Sequence, residues 1–495
     1  MMNMEIHWLS ILPIIIVMVT GLGLTFLRTP ALLGGLSLSA LALAAMVSGV
    51  DLVQSPAGFK RVLFHGVVTF DAYSHFFTLL LIGCAALTLV AAWAYFPREK
   101  MAQSEVYSLL MLSLSGMLIL PAATHLIAVF IAIEIMSIAI YALVGARRMD
   151  MKSNESSLKY FLLGSFASGI ILYGIALTYG AAGSIQFDAL RDFAASPDPA
   201  RLPLFIAGIA MLVIGFGFKV AAAPFHAWTP DVYEGAPAPI TGFMATAVKA
   251  ASFAFILRTM AVAFLPVKAE WVEVVAALAV VTMFTGNILA FVQGNIKRML
   301  AYSSIAHTGY MMMGLTALSN QEGAYAGAAI LYYLVAYCLT NIALFAAIGF
   351  VSKQGEKLVE IEDLAGLGAK FPGLSLVIAI CMASLIGIPP TAGFFGKYFL
   401  FSAVIQQGYA WLAVIGIINS ILSVYYYLRV VVVMYFKEPR ADWSDMTGLV
   451  PVRIVGVFCA VMIVWAGVGA TSLLYLVPGA QPLMAWAKTS VASLF

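Results

Sequence analysis

Glu134, Lys219, Lys249 and Lys397 each lie deep within an apolar run. In hydrocarbon one such charge costs at least roughly 2.5–3.5 kcal/mol, and the four together, if isolated, on the order of 10 kcal/mol. They must therefore face one another or a hydrated interior. A structural ion pair between Glu134 and one lysine would explain two of them and leave two lysines over. The residue types suit proton transfer. Desolvation makes a lysine easier to deprotonate, and a neighbouring carboxylate reverses that. A pair such as Glu134 and Lys219 can thus load or release a proton as its members move together or apart. Arginine could not serve, because it stays protonated in proteins.

Two histidines extend this set. His226 follows Lys219 by about two helical turns, just beyond Pro224, and His307 sits among Ser303, Ser304 and Thr308. An imidazole titrates near neutrality, so either is a candidate relay step, although a lone buried histidine is more often a packing residue. Lys159, four residues after Glu155, reads equally as a solvated cap or as a helper. Arg258 and Arg429 lie near helix ends and read as interface anchors whose stems snorkel.

The elements that position these residues follow from hydropathy. Of the 495 residues, 63% are hydrophobic and 10% charged, with mean hydropathy +1.00; soluble domains carry about 25% charged residues. At about 20 apolar residues per crossing, the chain reads as an all-α polytopic membrane protein of about fourteen transmembrane helices, one membrane domain over 1–495. The helices fall near 7–27, 33–50, 70–96, 105–121, 124–146, 155–183, 203–228, 238–262, 272–293, 300–318, 323–352, 373–403, 408–436 and 452–476. No strand is expected. The N-terminal stretch lacks a basic region and a cleavage site, so the first helix is expected to be retained. Loop Lys and Arg concentrate on the side holding Arg98, Arg147, Arg148, Lys297 and Arg298, which places that side in the cytoplasm and both termini outside.

The seventh and twelfth helices are interrupted. Lys219 is followed by Pro224, and IGIPPTAGFFGK places Gly387, Pro389, Pro390, Gly393 and Gly396 ahead of Lys397. Proline removes a backbone donor and breaks a helix. The two breaks lie five helices apart, so about 105–262 and 272–436 read as five-helix repeats of opposite topology, an arrangement that points to a transport site.

Other functions find little support. The four cysteines, Cys84, Cys338, Cys381 and Cys459, all lie in apolar runs without a CxxC pair, so no disulfide, metal or cluster site is indicated. A net charge of +3, dispersed along the chain, gives no case for nucleic acid. No phosphate-binding glycine motif follows a strand.

FKVAAAPFHAWTPDVYEGAPAPITGFMATAVKAASF resembles the signature segment of the antiporter-like membrane subunits of respiratory complex I, and its DVYEGAPAP wording is similar to the N-type branch of that family. NIKRMLAYSSIAHTGY and IGIPPTAGFFGKYFLF are similar to the family's segments near helices 9–10 and 12. The resemblance spans essentially the whole chain. It implies a proton channel in which Glu134 and Lys219 form the switchable pair, Lys249 is the central lysine and Lys397 the terminal one, with Lys159 an assisting lysine. It also implies NADH oxidation and quinone reduction in other subunits, which would hold the FMN and iron–sulfur clusters, and hence no cofactor here. The implied partners are other membrane-arm subunits, the lipid bilayer, protons and water, in a bacterial cytoplasmic (inner) membrane. The alternatives are a subunit of a multi-subunit cation/proton antiporter, a stand-alone secondary transporter, and a purely structural membrane scaffold.

Overall fold

The computed structural model describes residues 7–56, 58–319, 323–443, 448–468 and 480–495. The part of the last expected helix beyond residue 468, up to 476, lies outside them. Long helices dominate: α1 (Trp8–Leu24), α2 (Pro30–Gln54), α3 (Ala72–Ala92), α4 (Gln103–Ile119), α5 (Leu126–Val144), α6 (Met151–Ala182), α7 (Leu202–Lys219) and α8 (Ala238–Ala263). After these come α9 (Lys268–Phe291), α10 (Ile296–Thr316), α11 (Gly323–Val351), α12 (Pro372–Ile386), α13 (Ala392–Gln406), α14 (Ala410–Phe436), α15 (Leu449–Gly467) and α16 (Ala480–Ala492). Among the described residues, eleven helices are long and apolar enough to cross a membrane. Trp8–Leu24 and Pro372–Ile386 are shorter apolar helices.

At the centre stand α8 and α11, whose most apolar windows are 100% and 89% buried inside the protein. The sequence explains α8: Ala245, Ala247, Ala250, Ala251 and Ala254 alternate with Phe243, Phe253 and Phe255, all buried, so neighbours approach closely on every side. Small residues are what membrane helices use for such approach, since lipid offers no hydrophobic drive for association. Between α9 and α10 the same device is tighter. A Cβ on Gly286 would stand 2.7 Å from the Tyr302 carbonyl oxygen.

Three expectations need correction. A two-stranded antiparallel hairpin, β1 (Lys60–Leu63) and β2 (Val68–Asp71), joins α2 to α3 with Lys60 opposite Asp71. Its four-residue strands are too short for a period-two pattern to stand out from an apolar background. Arg258 is not an interface anchor. It is 2% exposed, donates to Asp71 Oδ1 and Oδ2 at 2.6 and 2.7 Å, and lies over the Tyr73 ring. The carboxylate that holds it caps the N-terminus of α3, a partner 187 residues away in sequence. Arg429 is partly exposed, beside Glu362 and the Gln293 carbonyl. Helix α16 was also not expected; its Trp486 ring packs on Phe76.

Candidate functional site

Helix α7 stops at Lys219 for local reasons. Ala221 adopts φ +60°, a left-handed conformation that ends helices, and Ala222 N donates back to the Gly217 carbonyl at 2.8 Å. Two residues later Pro224 has no N–H to continue the ladder. The freed backbone is met by hydroxyls: Ala223 N donates to Thr282 Oγ1 at 2.9 Å, and Thr308 Oγ1 donates to the Val220 carbonyl at 2.7 Å. A short helix, Thr229–Gly235, precedes α8.

Lys219 is 5% exposed. Its Nζ donates to Ser137 Oγ at 3.0 Å and reaches Tyr141 Oη at 3.5 Å, both on α5. Glu134, one turn earlier on α5 and half-buried, accepts from Ser168 Oγ on α6. Glu134 and Lys219 are not in direct contact; each rests on a serine.

Lys249 is buried mid-way along α8, just after a wide turn over Met244–Val248. Nζ donates to Ser304 O at 2.7 Å, Ser304 Oγ at 2.6 Å and Thr308 Oγ1 at 2.8 Å. Thr308 therefore touches both the backbone next to Lys219 and the ammonium of Lys249. One residue before it, His307 has both ring nitrogens on phenols: Nδ1 with Tyr333 Oη at 2.5 Å and Nε2 with Tyr427 Oη at 3.0 Å. The Tyr310 ring lies 5.6 Å from that imidazole and 5.1 Å from Lys397 Nζ. Lys397 itself, on α13, donates to the Leu385 and Ile386 carbonyls at 2.9 and 2.8 Å and to Ser420 Oγ at 2.7 Å. Those carbonyls end α12, where Gly387 turns left-handed at φ +89°, and so lack intrahelical partners.

His226 and Lys159 stand apart from this line. His226 lies beyond the end of α7, half-buried, and its Nδ1 has no partner among the described residues. Lys159 pairs with Glu155 at 2.6 Å and Asp231 at 2.9 Å, at 42% side-chain exposure. Arg298 also reaches Asp231 at 2.7 Å and Glu234 at 2.9 Å. Burial disfavours the Asp231 carboxylate, but hydrogen bonds from Arg298 and Lys159 outweigh it and hold this carboxyl below its ordinary range.

Sequence reading missed the support beneath the DVYEGAPAP stretch. Lys297 Nζ donates to the Glu234 and Ala236 carbonyls at 2.8 and 2.5 Å and to Glu356 Oε2 at 2.7 Å. Glu356 Oε1 accepts from Tyr95 Oη at 2.5 Å and Ala238 N at 2.7 Å, and Arg147 reaches the Gly235 carbonyl at 3.2 Å. Hydropathy puts Lys297, Glu356 and Arg147 at helix ends or in loops, where charges are usually solvated. The tyrosine partners of His307 left a faint signal, the YY pair in ILYYLVAY and the YYY run in SVYYYLR.

The fold and the site define a polytopic helical membrane protein with buried ionisable side chains at its centre. Residues 123–423 match the family described as NADH:quinone oxidoreductase/Mrp antiporter, transmembrane, and the chain belongs to it. It is 45% identical to the NADH-quinone oxidoreductase subunit N of Trichlorobacter lovleyi over 79% of this chain and 80% of that one. It is 37% identical to the subunit N of Paramagnetospirillum magneticum over 93% and 92%. Among solved structures it is similar to a chain of respiratory complex I from Thermus thermophilus with bound aureothin, with TM-score 0.78, 33% identity and coverage of 93% of this chain and 98% of that one. It also shares its fold with a chain of the Mrp complex from Dietzia sp., with TM-score 0.85, 19% identity and coverage of 98% and 97%. Among the described residues no group of His, Cys, Asp and Glu could hold a metal ion.

Proposed function

We propose that this chain is a proton-translocating membrane-arm subunit of a bacterial NADH–quinone oxidoreductase. Electron transfer takes place in other subunits, which hold the flavin and the iron–sulfur clusters. The observation that carries the reading is Thr308, whose hydroxyl joins the break after Lys219 to the ammonium of Lys249. Buried charges of this kind are expensive in a bilayer and mark ion pathways.

In this reading about fourteen helices cross the inner membrane with both termini outside, and 105–262 and 272–436 are inverted five-helix units. The α7 break and the α12–α13 break are their equivalent interruptions. We infer that this arrangement, with Glu134 on Ser168 and Lys219 on Ser137, corresponds to the open position of the switch. Closing the pair holds the proton on Lys219. Opening it, driven from neighbouring subunits, releases the proton by way of water and Thr308 to Lys249. His307, poised between Tyr333 and Tyr427, and water beside Tyr310 carry it on to Lys397. His226 lies at the mouth of the first half-channel, and Lys159 acts from the side through Asp231.

Replacing Lys219 by Ala or Glu134 by Gln in the intact complex tests this. Pumping into vesicles should fall while NADH oxidation by the hydrophilic arm persists; unchanged proton-to-electron stoichiometry in both variants would overturn the reading. The shared fold of the Mrp chain keeps a cation/proton antiporter subunit as second reading. Na⁺-dependent exchange without NADH would favour it.

A further inference from the structure

A groove of about 310 Å³ opens between the beginnings of α12 and α15, and none of Lys219, Lys249 and Lys397 lines it. Both helices start at this end, α12 at Pro372 and α15 at Leu449. Lys370 and Arg453 stand at its mouth, both exposed. Neither side chain has a hydrogen bond or ion pair among the described residues, whereas Lys437 on a nearby segment pairs with Glu362 at 2.7 Å. Neither helix carries an acidic residue in its first turn. Two cations without a partner among the described residues thus add to two positive helix ends, and such ends favour anions.

Away from the mouth the lining is apolar. Leu374 and Val377 form one wall, and Val452 and Val457 the other. Gly456 keeps the far end narrow; a Cβ there would stand 3.2 Å from Val377 Cγ1. At about 1.5 Å per residue, the walls run roughly 10 Å along the two helices. An occupant therefore meets positive charge at one end and hydrocarbon along the rest.

We propose that this groove binds one anionic phospholipid, its phosphate headgroup between Lys370 and Arg453 and an acyl chain along Val377 and Val457. Basic pockets between transmembrane helices select such headgroups. Inorganic phosphate would match only the mouth, and a zwitterionic lipid offsets its own phosphate charge with its ammonium.

The test uses the intact assembly that carries this chain, solubilised gently and exchanged into nanodiscs containing photoreactive phosphatidylglycerol or photoreactive phosphatidylethanolamine. Phosphatidylglycerol should crosslink to peptides covering 370–377 and 449–457, with phosphatidylethanolamine much weaker. Lys370→Gln with Arg453→Gln should lower the phosphatidylglycerol yield roughly tenfold, leaving the phosphatidylethanolamine yield and NADH oxidation unchanged. The exchange Lys370→Arg with Arg453→Lys should restore it, which separates loss of charge from a folding defect. Equal labelling by both lipids, an unchanged yield in the double Gln variant, full displacement by inorganic phosphate, or crosslinks to a neighbouring protein subunit would each overturn the proposal.

Discussion

Lys297 Nζ and Glu356 Oε2 lie 2.7 Å apart with side-chain exposures of 0% and 3%. Together they hold the backbone between Glu234 and Ala238 that leads into α8. Because the pair is buried, removing one member strands the other, at a cost of about 3–5 kcal/mol. Glu356→Ala should therefore sharply lower the melting temperature of the assembled complex or deplete this chain from it. Adding Lys297→Met should recover part of the loss, since no unpaired ammonium then remains. Additive losses in the double variant would contradict this coupling.

The same pair sets a pH dependence. Burial disfavours the Glu356 carboxylate, but Lys297 and Arg147 outweigh it, so its carboxyl titrates below its ordinary value. A depressed folded value means the stabilisation is fully present above the unfolded value near 4.3 and is lost as pH falls through the folded one. Between pH 7 and 5 the contribution should stay flat. Below about pH 4 native protein should lose stability faster than Glu356→Gln, and melting curves across that range would check it.

Gly235 in DVYEGAPAP is constrained by space. A Cβ there would lie 2.6 Å from the Lys152 carbonyl oxygen and closer still to Ser156 Oγ. Gly235→Ala should cost about 1–3 kcal/mol through overpacking and loosen α6 from the helix Thr229–Gly235. Co-purification of the chain with its partners should drop, and Ser156→Gly in the same chain should restore some of it. No rescue would show that the clash lies with the backbone of Lys152 alone.

How much of this is legible in the residues depends on scale. Helix positions follow from runs of apolar residues long enough to cross a bilayer, and the ends of α7 and α12 follow from Pro224 and from Gly387 with the prolines after it. Hydropathy also isolates Lys219, Lys249 and Lys397, because a charge inside such a run stands out. What it cannot give is which distant residue answers a charge. Asp71 and Arg258 both read as helix-end residues, yet they neutralise each other in the interior. Glu356 reads as a loop residue of a polar connection and is buried. A hairpin of four-residue strands carries too little periodicity to register at all.

Thr308 supports a sharper expectation. Its hydroxyl donates to Val220 O and accepts from Lys249 Nζ, so Thr308→Val removes both while keeping the shape. Losing one hydrogen bond to a charged group costs about 1.5–3 kcal/mol, enough to slow proton passage by roughly tenfold or more. Pumping per electron should fall in Thr308→Val and return in Thr308→Ser, with NADH oxidation by the hydrophilic arm unaffected in either.

Lys159 should behave differently from the buried lysines. Its pairs with Glu155 and Asp231 are largely open to solvent, and exposed ion pairs contribute about 0–1 kcal/mol. Lys159→Met should leave most of the pumping intact, with a deficit that shrinks as salt is added to native protein and screens the comparison. A loss as complete as that of Lys219→Ala would place Lys159 in the line itself.

Ser137 offers a test of the switch that leaves every titratable group in place. In the observed state Lys219 donates to Ser137 Oγ at 3.0 Å, while Glu134 is held by Ser168 on α6. In the proposed switch each serine stabilises the open arrangement. Ser137→Ala removes the resting place of the ammonium and so biases Lys219 towards the Glu134 carboxylate, whose field retains its proton. The expected outcome is slower proton release, seen as a lower pumping rate at unchanged NADH oxidation by the hydrophilic arm. Ser168→Ala should add to the effect, because it frees Glu134 from the other side. In a Glu134→Gln background neither serine substitution should slow pumping further, since no carboxylate remains for the lysine to join. Full additivity in that background would show that Ser137 acts on Lys219 by packing and not through the pair.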